Sequence, residues 1–145
     1  VLGAAGGCAG PVATTGGTSS LRERALTLAR AGDLESGRRL VAEAIRLDPT
    51  DASAYATFGV LSYWLGDDAR AERALNASVA LVKRTACPIE PVGRVAVEEW
   101  RCLRRRTAVR EVAERYLEAL AKHRAGTTAA IDRAGAALLA DASMN

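Results

Sequence analysis

The sequence predicts an all-α protein in which helices pack directly on helices. Three observations carry that expectation. Nearly half of the 145 residues are apolar but only 4% are aromatic, and much of the apolar content is Ala, the strongest helix former. Apolar residues recur at three- and four-residue steps, and no alternating run of Val, Ile and Thr marks a strand. Gly and Pro punctuate the periodic stretches at regular intervals.

The same composition excludes several function classes. The net charge is +3, with 20 basic against 17 acidic residues. A nucleic-acid binder would carry a longer basic stripe interleaved with aromatic residues to stack on bases, so none is expected as a partner. No apolar run is long enough to span a bilayer as a helix. The sequence has one histidine, His123, which excludes a His-pair zinc motif. No phosphate-binding Gly-rich loop and no nucleophile elbow is present. Glu98 and Glu99 are adjacent and point apart on a helix, so they make no acid–base pair. The sequence therefore predicts a non-enzyme without metal, cofactor or small-molecule substrate.

Residues 1–20, VLGAAGGCAGPVATTGGTSS, are small and uncharged. From Ala9 they read as a flexible tether. Helical periodicity starts after Ser19-Ser20, which are N-cap residue types, and runs through Leu21, Ala25 and Leu28 to a stop at Gly32. A second helix carries Leu40, Val41, Ala44, Ile45 and Leu47 and ends at Pro49. The segment DASAYATFGVLSYWLGD gives a third, ending at Gly66, and DARAERALNASVALVKR a fourth. Pro88 and Pro91 break the pattern. Beyond them Val92 to Arg124 reads as one long helix, or two with a bend near Arg106-Thr107. Basic Lys122, His123 and Arg124 sit at its end, where cations suit the helix dipole. A last helix is expected at about 128–140, with Ile131, Leu138 and Leu139. The domain plan is thus tether 1–20, two helix pairs over 21–85, and a Pro-containing link with helical cap over 86–145.

The two pairs align at a 34-residue offset. Gly32-Asp33 falls on Gly66-Asp67, Leu21 on Tyr55, Ala25 on Gly59 and Val41 on Leu75. In this pattern the chain resembles the tetratricopeptide repeat family. Repeat 18–51 supplies Leu21, Ala25, Gly37, Val41, Ala44 and Pro49. Repeat 52–85 supplies Tyr55, Phe58, Gly59, Ala71, Leu75 and Ser78. Ser62, Arg24 and Lys83 depart from the family's residue types. The resemblance implies a short right-handed solenoid whose first helices line a groove for a protein or peptide segment. Its groove positions fall on Arg22, Leu26 and Arg30, then Ala56, Val60, Tyr63 and Trp64. Two repeats are few for a stacked core, so the cap must cover the open face. It either leaves this groove free or fills it with its long helix.

Arginines 101, 104, 105, 106 and 110 form the densest charge cluster. Arg101, Arg104 and Arg105 share one side of a helix. They read as a solvated face, or as a contact for anionic headgroups or an acidic partner.

The stretch VLGAAGGC resembles the end of a bacterial lipoprotein signal. Ala5, Gly6 and Gly7 precede Cys8, which that resemblance makes the acylated residue, with residues upstream of Val1 required. It implies a membrane-anchored lipoprotein of the bacterial envelope facing the periplasm. Cys87 and Cys102 are then left as an even pair, which an oxidising periplasm would close as a disulfide across the link. In a cytosolic protein they would be two buried thiols. The expectation is a non-catalytic scaffold of the pilus or secretion-machinery assembly type. The alternative is a cytosolic adaptor or chaperone without lipid.

Overall fold

The computed structural model describes residues 16–87 and 95–124. Every regular element among them is a helix: α1 (Gly16–Arg30), α2 (Leu34–Leu47), α3 (Ala52–Trp64), α4 (Asp68–Arg84) and α5 (Val95–Arg124). The fold class is all-α. Cys8, the two prolines of the link and the helix expected at 128–140 lie outside the described residues.

Helices α1 and α2 form one hairpin, and α3 and α4 a second. The hairpins meet through α2 and α3. Both hairpin turns have the same construction. Gly32 and Gly66 adopt positive φ, 91° and 77°, a region open to Gly at no steric cost. The Asp33 N–H donates to the Leu28 carbonyl at 2.9 Å and the Gly32 N–H to Ala29 at 3.0 Å. Asp67 and Gly66 repeat this on Ser62 and Tyr63, both at 2.9 Å. This paired pattern satisfies the orphan carbonyls of the ending helix. The same Asp then starts the next helix: the Asp33 carboxylate accepts from the Ser36 N–H at 3.1 Å, and Asp67 from the Arg70 N–H at 3.2 Å. Between the hairpins Asp51 caps α3, accepting from Ser53 at 2.9 Å and Ala54 at 3.2 Å.

One boundary differs from expectation. Helix α1 opens at Gly16, inside the stretch read as tether, so Ser19 and Ser20 lie within it and do not cap it. A first helical turn needs little more than access to water for its free N–H groups, and small residues do not obstruct that, so composition did not mark the boundary. Helix α5 is continuous across Arg106-Thr107 for 30 residues.

The core lies in two clusters. Ala25, Val41, Ala44, Ala54 and Leu61 fill the first hairpin and its junction with α3, with Phe58 and Leu21 packed around them. Val60, Ala71 and Leu75 meet Ala113, Tyr116 and Leu120 of α5 in the second. Helix α5 lies antiparallel to α4, which two sets of contacts at opposite ends define. Cys87 and Cys102 are joined by a disulfide with Cα atoms 5.8 Å apart. At the far end His123 Nδ1 sits 3.0 Å from the Asp68 carboxylate, and Arg124 pairs with Glu72.

Candidate protein-binding surface

The positions expected to line a groove separate into three groups. Leu26, Ala56 and Val60 are buried, and Val60 packs against α5. These three are interior and offer no surface, which corrects the expectation that they contact a partner. The reason is tertiary: α5 docks on α3 as well as α4 and covers Val60, whereas Leu26 belongs to α1, which packs on α2 and α3. Of the two outcomes left open for the cap, the long helix fills this part of the groove.

Arg22 lies 3.2 Å through Nε from the Asp51 carboxylate. The contact is an ion pair without aligned hydrogen-bond geometry, since Nε is buried with no hydrogen-bond partner. It ties α1 to the cap of α3, so this guanidinium is engaged within the chain. Arg30 is exposed at the end of α1.

Tyr63 and Trp64 remain as the aromatic edge. Tyr63 stacks edge-on against Tyr116, with ring centroids 5.2 Å apart, and against Trp64 at 5.9 Å. The Trp64 indole N–H donates to the Tyr116 hydroxyl at 3.1 Å. Burial pushes the Tyr116 phenol up to about 12, although the hydrogen bond from Trp64 opposes the shift. Trp64 is still 38% exposed, and its neighbour Leu65 is 37% exposed. Their rings and side chains form an apolar rim with a fixed orientation. Rigid aromatic groups of this kind serve as interface anchors because little side-chain entropy is lost on binding.

The second region is on α5. Arg101, Arg104 and Arg105 are exposed, and the Arg104 guanidinium stacks 4.5 Å from the Trp100 ring centroid. Trp100 and Leu103 are 55% and 46% exposed. The other two arginines of the cluster behave differently. Arg106 turns inward and donates to the Val82 carbonyl at 3.0 Å, satisfying a free carbonyl in the last turn of α4. Arg110 pairs with Glu114. The role of Arg106 was missed, although spacing held the signal. It lies four residues after Cys102, so whichever face of the helix carries the cysteine carries this arginine too.

His123 holds no catalytic company among the described residues; its partner is the half-buried Asp68. No group of three or more His, Cys, Asp or Glu side chains suited to a metal ion occurs among the described residues. No helix among them is long and apolar enough to cross a membrane. No protein-family model, curated protein or solved structure matches the chain.

Proposed function

We propose that this chain is a non-catalytic protein–protein interaction scaffold. In this reading it has two tetratricopeptide-type repeats in a short right-handed solenoid, with α5 as the cap. The observation that carries the reading is the identical construction of the two hairpin turns, 34 residues apart, together with the small-residue crossings at Ala25–Gly37 and Gly59–Ala71. Those crossings let backbones approach closely, as stacked hairpins require: a Cβ on Gly37 would come 2.8 Å from the Ala25 carbonyl oxygen. The partner is a protein or peptide segment with an apolar anchor, received at the rim formed by Tyr63, Trp64 and Leu65.

The same reading makes the protein a lipoprotein of the bacterial envelope, acylated at Cys8 and facing the periplasm. The Cys87–Cys102 disulfide favours this over a cytosolic adaptor, because such bonds persist in oxidising compartments and are rare in reducing ones.

Two measurements test the proposal. A photo-reactive phenylalanine at position 64, expressed in a bacterium, is expected to give a discrete protein adduct. The same residue at exposed Leu47, on α2, is expected to give none. An adduct at 47 and not at 64 refutes the assigned surface. Mass spectrometry of the mature protein is expected to show a diacylglyceryl group on Cys8; a mature chain unmodified there refutes the anchor.

A further inference from the structure

The contacts along α5 show that it overhangs α4. Residue 124 is opposite Glu72 and residue 102 is opposite Cys87, three residues past the end of α4 at Arg84. Residues 95–101 therefore project beyond α4 by nearly two turns, about 10 Å at 1.5 Å per residue. The stretch 100–110 carries five arginines and no acid, with Glu98 and Glu99 just before it on the overhang; counted with Lys83 and Arg84, cations still outnumber carboxylates at this pole. Two of them, Arg106 and Arg110, are held within the chain. The other three are joined at this pole by Lys83 and Arg84 of the last turn of α4, both exposed. Among the described residues no carboxylate pairs with Arg101, Arg104, Arg105, Lys83 or Arg84. Every ion pair recorded between α4 and α5 is at the opposite pole, at Asp68 and Glu72.

Trp100 and Leu103 at this end of α5 are exposed. Trp100, Leu103 and Arg104 fall at three- and four-residue steps, with Trp100 and Arg104 on the side away from Cys102 and Arg106, which face α4, and Leu103 at its border. A helix end with one exposed Trp, one exposed Leu and arginines around them matches the chemistry of a bilayer interface. The rings and aliphatic groups enter the headgroup boundary, while guanidinium groups stay at the depth of the lipid phosphates. We propose that this pole of the protein docks on an anionic membrane surface, with Trp100 and Leu103 inserted and Arg101, Arg104 and Arg105 on the headgroup phosphates. The proposal rests on α4 and α5 alone and is independent of acylation at Cys8.

The test uses the full chain carrying Cys8→Ser, so that no acyl group contributes. It is co-sedimented with vesicles of phosphatidylcholine containing phosphatidylglycerol, and with vesicles of phosphatidylcholine alone. Binding is expected to the first and not the second, and to weaken as salt is raised. Arg101→Glu/Arg104→Glu/Arg105→Glu is expected to lower binding by at least about 100-fold, since each cation near a charged leaflet contributes about fivefold and each added carboxylate is repelled. The corresponding triple Lys variant is expected to keep most of the binding. Circular dichroism melts check that both triple variants stay folded. Tryptophan emission is expected to shift to shorter wavelength on binding, and Trp100→Phe to remove the shift. Equal binding to neutral vesicles, no binding to anionic ones, or a shift that survives Trp100→Phe would overturn the proposal. So would tighter binding to soluble poly-glutamate than to vesicles, which would assign the pole to an acidic polypeptide. A dimer dissociated by the triple Glu variant, with no vesicle binding, would assign it to a second copy.

Discussion

The hydroxyl of Tyr116 receives the Trp64 indole N–H inside a site where the phenol ring is 2% exposed. Its folded-state acidity lies at about 12 against an ordinary 10. Between those values the unfolded chain has lost the proton and the folded chain keeps it, so stability is fully present below the lower value and falls as pH rises toward the upper one. Denaturant midpoints measured from neutral pH to about pH 11 are expected to show this alkaline decline. Tyr116→Phe is expected to flatten the decline and to cost about 1 kcal/mol at neutral pH through the lost hydrogen bond. Ser62 presents the opposite situation. It is fully buried and its hydroxyl has no hydrogen-bond partner among the described residues. A buried unpaired hydroxyl costs about 1–3 kcal/mol, so Ser62→Ala is expected to raise the melting temperature.

Each hairpin crosses at a Gly–Ala pair, but the glycine changes sides. In the first hairpin Gly37 of α2 meets Ala25 of α1; in the second, Gly59 of α3 meets Ala71 and Leu75 of α4. The neighbours differ in how far they can give way. A Cβ at Gly37 meets backbone, the Ala25 carbonyl oxygen, whereas one at Gly59 meets the Leu75 side chain at 2.6 Å. The gain in helix propensity from Gly to Ala is about 1 kcal/mol, and overpacking costs about 1–3 kcal/mol. Gly37→Ala is therefore expected to lower stability by about 1 kcal/mol net, read as a drop in the thermal midpoint. A rise would show that the hairpin can open without loss.

Across the whole molecule α5 is fastened at two ends by different chemistry. At one end the disulfide closes a segment of 15 residues, which on the chain-entropy account contributes about 3 kcal/mol. Cys102→Ser is expected to lower stability by about that amount, and in a wild-type chain a reductant is expected to do the same. At the other end Arg124 holds the Glu72 carboxyl below its ordinary range, chiefly through their hydrogen bond. That contribution is complete above the ordinary Glu range and is lost as pH falls through the lowered value. Hydrogen exchange in the last turns of α5 is expected to quicken at acid pH before α3 and α4 respond.

Periodicity and turn residues alone determined the helical class, the two hairpins and their 34-residue register, because helix spacing and the Gly-Asp turns are local properties of the chain. The small residues at the crossings were legible for the same reason. Cys87 and Cys102 were legible as a pair only through a resemblance, and Ser19-Ser20 marked a helix start that lies at Gly16. Tertiary structure decided which faces are surface. Leu26, Ala56 and Val60 have the right positions on their helices for a groove, and nothing local distinguishes them from Trp64. The direction in which α5 crosses α3 and α4 covers Val60, leaves an aromatic edge, and carries Trp100 past the end of α4, while Leu26 and Ala56 are buried as the helices assemble. That choice depends on contacts between residues 50 or more apart in the chain, such as Trp64 with Tyr116 and Asp68 with His123, and no window of sequence contains both partners.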